Sequence, residues 1–96
     1  MNSSMFDYLV RTVKKNNCPI YQMETIQVAI GAAGQVSGSQ VAQLLKSVST
    51  DDDKLELAKM AYGYAVDPAS YATIVGETFS SSYTKAVLNA YIQRHW

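Results

Sequence analysis

The sequence has few of the residues on which disulfide scaffolds and metal sites depend. Its 96 residues include one cysteine, Cys18, and one histidine, His95. A single cysteine cannot form a disulfide within the chain, and one Cys with one His cannot supply the ligands of a zinc site. We therefore expect no disulfide framework, no metal site and no cofactor.

Net charge and long apolar runs are also absent. Eight Lys and Arg balance eight Asp and Glu, which leaves no overall field to attract nucleic acid. No run approaches the roughly 18 apolar residues of a membrane helix, and residues 1–7 lack a signal-peptide pattern. We expect neither nucleic-acid binding nor membrane insertion, and a cytoplasmic location. An exported or periplasmic location is the alternative if the sequence is part of a longer chain.

Apolar residues recur at helical spacing along most of the chain, and each recurrence follows a helix-start signal. The first helix is predicted to begin after Ser4, because Asp7 lies at the spacing of a capping box. Pro19 suits the first turn of the second helix. The predicted buried stripe of that helix consists of Ile20, Met23, Ile26 and Ile30.

The remaining sequence predicts three or four further helices. Three residue pairs mark the starts of the third, fourth and fifth: Ser37 with Gln40, Thr50 with Asp53, and Asp67 with Pro68. The sixth begins within residues 80–82. The fourth helix is apolar on two faces, so we expect it to have neighbours on both sides at the centre of the domain.

Similar segments begin at residues 6, 41 and 71, each followed by a polar turn and a second helix. A chain of this length buries enough surface for one core and no second domain. We predict an all-α fold, with residues 1–96 forming a single domain. The helices, five or six and all short, would form a compact bundle, either irregular or built from three helix-turn-helix repeats.

No combination of side chains predicts catalysis. His95 is one residue from the C-terminus, where a base is rarely held in place, and Cys18 lies near the other end. The acidic run 51–53 with Glu56 lacks the alternating acids and central glycine of a calcium loop, and it suits a helix N-terminus. We expect no catalytic residues and no enzymatic activity.

Tyrosine is the residue type that best indicates an interaction surface. Five of the seven tyrosines lie in the last 35 residues, and tyrosine is enriched at protein interfaces. The candidate interaction surface consists of Tyr8, Tyr64, Tyr83 and Trp96. Three other tyrosines lie on predicted core stripes and would line a ligand pocket in an alternative interpretation: Tyr62, Tyr71 and Tyr91.

One segment resembles a known family. It runs from Asp51 to Tyr62 and continues through residues 66–68, Tyr71, residues 79–82 and residues 91–92. This progression is similar to that of a small helical family catalogued as domain of unknown function 4476, mainly over residues 37–93. The resemblance implies an all-helical domain of this length and implies no catalytic residues.

These observations favour a non-catalytic helical module for protein–protein interaction, which binds a protein partner or a second copy of itself. One alternative is a small-ligand-binding domain with the tyrosine-lined pocket. Another is a small inhibitor or immunity-type protein that blocks a larger enzyme.

Overall fold

Six α-helices account for most of residues 1–94, the part of the chain that the structure, a computed structural model, describes. They are α1 (Ser3–Lys15), α2 (Pro19–Ala33), α3 (Gly38–Leu45), α4 (Asp51–Tyr62), α5 (Pro68–Gly76) and α6 (Ser82–Arg94). The Cα radius of gyration is 12.3 Å, close to the roughly 12.5 Å expected for a compact chain of this length. The predicted all-α bundle is confirmed.

The helices form two layers of three. In one layer α1 packs on α3 and α3 on α5, and in the other α2 packs on α4 and α4 on α6. Across the layers, α1 contacts α2, α3 contacts α4, and α5 contacts both α4 and α6. This is the packing order of stacked helical pairs. The repeat in the sequence itself stays a prediction.

Helix α4 lies at the centre, as its two apolar faces predict. It packs against α2, α3, α5 and α6. Leu57, Ala58 and Ala61 are almost completely buried. The end pair, α1 and α2, packs on the rest of the bundle from one side only.

The helix-start signals were correct for α3 and α4 and wrong for α1. Ser37 and Gln40 form a complete capping box, and the Thr50 hydroxyl accepts a hydrogen bond from the Asp53 amide. Helix α1 is instead capped by Asn2, whose side chain accepts from the Met5 amide. Asn2 is two residues before Ser4, so the helix begins a half-turn earlier than predicted.

The predicted buried stripe of α2 is wrong at its first position. Ile20 is 71% exposed, whereas Ile26 and Ile30 are buried. The buried position in the first turn is occupied by Gln22, whose Nε2 donates to the backbone carbonyls of Val13 and Asn16 at 3.0 and 2.6 Å. These carbonyls end α1, so a polar side chain is needed there to satisfy them.

Two aspartates connect helices that are distant in sequence. The Asp67 carboxylate accepts from the Gly38 amide at 2.9 Å, and Asp51 accepts from the Ser80 and Ser81 amides at 3.1 and 2.9 Å. Asp67 thus satisfies an N-terminal amide of α3, and Asp51 fixes the residues that lead into α6. Asp67 therefore caps a neighbouring helix, and Asp51 holds the loop that precedes one.

Candidate functional site

An apolar groove of about 440 Å³ lies between α1 and α2. From the first segment of the chain it is lined by Met1, Met5, Tyr8, Leu9 and Thr12. From α2 it is lined by Tyr21, Glu24, Thr25, Val28, Ala29 and Ala32.

The groove exists because each of the two helices has a second apolar face. In α1 the core face is buried, and the groove face beside it contains Met5, Tyr8 and Thr12, with Met1 just before the helix. In α2 the groove positions recur at i, i+3, i+4, i+7, i+8 and i+11 from Tyr21. That stripe lies on the side of α2 opposite the buried Ile26 and Ile30.

The side chains around the groove are exposed to an unusual degree for apolar residues. Four of the seven large hydrophobic residues that are exposed in residues 1–94 line it: Met5 (48%), Tyr8 (68%), Tyr21 (46%) and Val28 (71%). Single exposed apolar side chains are ordinary on a protein surface. A contiguous group of them is typical of a surface that another molecule covers.

Glu24 is the charged residue of the groove lining. Its carboxylate makes no hydrogen bond and no ion pair within residues 1–94. The groove therefore combines apolar walls with one unpaired negative charge.

The tyrosines predicted to form an interaction surface are not brought together. Tyr8 lines the groove, but Tyr83 is exposed on α6 and Tyr64 is half-buried after α4. The Tyr64 carbonyl accepts from the Val36 amide in a short backbone bridge between two loops. Trp96 lies outside the described residues.

The three tyrosines of the alternative pocket do meet, but they pack against one another and the core. The Tyr62 and Tyr71 rings are 5.3 Å apart, edge to face. Tyr71 is buried, and its hydroxyl donates to the Ala58 carbonyl at 2.6 Å. The Lys59 ammonium lies 5.5 Å from the centre of the Tyr91 ring. Tyr71 is therefore part of the core and not the exposed wall of a pocket.

Two side chains within residues 1–94 have a shifted pKa, and packing or hydrogen bonding to the backbone explains both. Burial raises the pKa of Tyr71 above its usual value of 10.0, and the nearby Asp67 charge adds to the effect. The hydrogen bond from the Ser80 amide lowers the pKa of Asp51, with further lowering by Ser81 and Lys54. Neither group lines the groove.

The described residues contain no group of His, Cys, Asp and Glu side chains able to hold a metal ion. In the acidic run, Asp51 is bound to two backbone amides, and Asp53 donates its own amide to the cap of α4. None of the helices in residues 1–94 has the length and hydropathy to span a bilayer.

Sequence reasoning missed the groove, although a signal was present. The apolar spacing predicts one buried stripe on α2, whereas the groove positions from Tyr21 to Ala32 form a second stripe. A helix that is apolar on both sides predicts two neighbours. In the structure α2 has the core on one side and, on the other, only α1 at the edge of the groove.

Comparison with known proteins places the chain in a family. No curated protein and no solved structure matches it. A family model, DUF4476, described as a domain of unknown function, matches residues 1–92. The match therefore extends beyond the segment with recognisable motifs to include α1, α2 and the groove between them. Because nearly the whole chain is covered, the protein belongs to the DUF4476 family.

Proposed function

We propose that this protein is a non-catalytic protein-interaction module that docks a partner in the α1–α2 groove. The observation that carries the proposal is the exposure of Met5, Tyr8, Tyr21 and Val28 around one groove. Exposing these side chains to water is unfavourable, and a docked protein would cover them. A small inhibitor of a larger enzyme is a special case of this function and differs only in its partner.

The shape of the groove favours a protein segment over a small molecule. Its lining on the α2 side extends from Tyr21 to Ala32, which is about 16 Å along the helix axis at the usual rise per residue. The alternative pocket has less support, because the Tyr71 ring is buried and packs edge to face against Tyr62.

A role without catalysis agrees with the electrostatics of the described residues. Perturbed pKa values in a cleft are typical of active sites. Here the two shifted groups, Asp51 and Tyr71, lie outside the groove and are hydrogen-bonded to the backbone. We also propose a cytoplasmic location, since Cys18 is exposed and unpaired in a form that a reducing compartment preserves.

Site-specific photo-crosslinking in the source cells tests the proposal. A photoreactive amino acid replaces Val28 in the groove or, as a control, Tyr83, which is 77% exposed on α6. We expect a discrete protein adduct from position 28 and none from position 83. A groove that yields no protein adduct, while the purified chain retains a small molecule in native mass spectrometry, would favour the ligand-binding alternative.

A further inference from the structure

We infer that the occupant of the groove is an amphipathic helix of a partner protein, with apolar side chains between α1 and α2 and a Lys or Arg beside Glu24. The inference rests on the proposed function and specifies the partner's chemistry. Three features of the groove support it: its place in the helix stack, its length and its charge.

The first feature is the place of the groove in the stack of helical pairs. Helices α1 and α2 form an end pair, which packs on α3 and α4 from one side. The end pairs of helical arrays normally have a polar outer face. Here Tyr8 and Val28 make that outer side apolar. A further helix laid in the groove would bury it and continue the same helix-on-helix packing.

The second feature is the length of the groove. About 16 Å along α2 corresponds to three turns, or roughly 11 residues, of a helix lying alongside. A short helix with apolar positions at i, i+3, i+4 and i+7 has the width and length for such a groove. The flexible Met5 side chain can adapt to different apolar partners.

The third feature is charge. Glu24 is unpaired in the described residues and borders an apolar surface, so a partner that covers it must supply a cation or leave a desolvated carboxylate. Consecutive helices joined by a short connection are antiparallel, so Thr12 and Tyr21 lie at one end of the groove. The Met1 backbone nitrogen, which donates to the Gln35 carbonyl, lies at the other end. Glu24 belongs to the Tyr21 end, and the partner's cation is expected there.

The same charge argues against the other occupants. In two copies paired groove to groove, neither lining would bring a Lys or Arg side chain to Glu24, since the lining side chains include none. An anionic membrane surface would place negative charge near the same carboxylate. An amphipathic helix with a basic residue satisfies both the apolar walls and Glu24.

A peptide-display selection on the full chain tests the inference. The library consists of helical peptides of about 14 residues, with apolar residues fixed at the i, i+3, i+4, i+7 and i+11 positions and the flanking positions randomised. On the wild-type protein, we expect enrichment of Lys or Arg at one end of the peptide. On the Glu24→Lys variant, we expect enrichment of Asp or Glu at the same position.

Affinity measurements on an enriched peptide complete the test. Val28→Asp should weaken binding at least about tenfold by placing a charge in the apolar contact, and Glu24→Gln about threefold, as for an exposed ion pair. Tyr83→Asp is the matched surface control and should leave affinity unchanged. Far-UV circular dichroism confirms that each variant is folded.

Several results would overturn the inference. They are a selection without enriched peptides, enrichment that Glu24→Lys does not reverse, and a concentration-dependent dimer that Val28→Asp abolishes. If position 28 still crosslinks to a protein in cells, such results reject the basic helix as occupant and leave the docking function intact. If position 28 gives no adduct either, both proposals fail.

Discussion

Helices α2 and α4 have the same kind of sequence and different surroundings. Each is apolar on two faces, but α4 has helices on both faces, whereas the outer face of α2 borders an open groove. Ala58 in α4 is fully buried, and Val28 in α2 is 71% exposed. A two-faced apolar helix therefore predicts a central position only when the chain supplies enough neighbours.

The comparison separates residues that stabilise the fold from residues available to a partner. Substitutions at core positions on α4 and α5 should lower the unfolding free energy strongly. Substitutions at groove positions on α1 and α2 should lower it only slightly. Two pairs contain one residue of each kind, Ala58 with Ala32 and Tyr71 with Tyr8, and either pair could break the distinction.

The largest expected contrast comes from the same substitution in both helices. Ala58→Asp would place a carboxylate in the core, where Ala58 has no exposed surface, and should cost at least about 3 kcal/mol in unfolding free energy. Ala32→Asp, in the exposed wall of the groove, should cost no more than about 1 kcal/mol, including its unfavourable place near a helix C-terminus. Urea titration followed by circular dichroism measures both. Equal losses would contradict the distinction between the two helices.

Two tyrosines provide the next contrast. Tyr71→Ala removes a fully buried ring and its hydrogen bond to the Ala58 carbonyl, so it should cost about 3–5 kcal/mol. Tyr8→Ala, at a site 68% exposed, should stay within about 0.5 kcal/mol. Both values come from denaturant unfolding. A loss at Tyr8 comparable to that at Tyr71 would show that the groove is part of the core.

Because the pKa of Tyr71 is raised, the folding stability should depend on pH through Tyr71 and not through Tyr8. A group whose pKa is higher in the folded state contributes stability that is complete below its unfolded pKa and is lost as pH rises through the folded value. For Tyr71 that loss should begin above about pH 10. Tyr71→Phe should reduce this loss of folding stability at alkaline pH, whereas Tyr8→Phe should leave it unchanged.

Two glycines of the α2 segment give a smaller contrast. Gly34 ends α2 with φ of 78°, so Gly34→Ala should cost about 1 kcal/mol. At Gly31, within the helix, an added methyl group would lie 4.0 Å from the Tyr64 hydroxyl, and Gly31→Ala should gain up to about 1 kcal/mol. The midpoint of thermal unfolding should therefore fall for Gly34→Ala and rise for Gly31→Ala. A gain at Gly34 would contradict the left-handed cap.

The smallest effect concerns Asp51 and appears only in acid. Its lowered pKa means that the capping of the Ser80 and Ser81 amides is complete above the unfolded pKa and is lost as pH falls through the folded value. Stability should therefore decline below about pH 4. Asp51→Asn should reduce this decline, and Asp52→Asn, at an exposed site, should not. Identical acid profiles for the two variants would contradict the capping role.

Local signals predicted much of the fold. The capping box of Ser37 with Gln40 is a short-range pattern, and the structure contains it as predicted. The apolar spacing also predicted the central place of α4. Such features depend on residues within one or two turns, so the sequence alone is sufficient to find them.

Features that depend on other helices could not be predicted in this way. Gln22 is buried instead of Ile20 because it binds carbonyls at the end of α1. Asp51 caps residues 29 positions away in the chain. The groove is of the same kind, because it exists only once α1 and α2 are packed and no third helix covers them.

The Val28→Asp variant tests the central claim most directly, through two measurements on the same protein. We predict an unfolding free energy within about 0.5 kcal/mol of wild type, together with at least a tenfold loss of affinity for a selected basic amphipathic peptide. A variant that unfolds, or one that binds the peptide as wild type does, would contradict the claim that this face of α2 serves a partner rather than the fold.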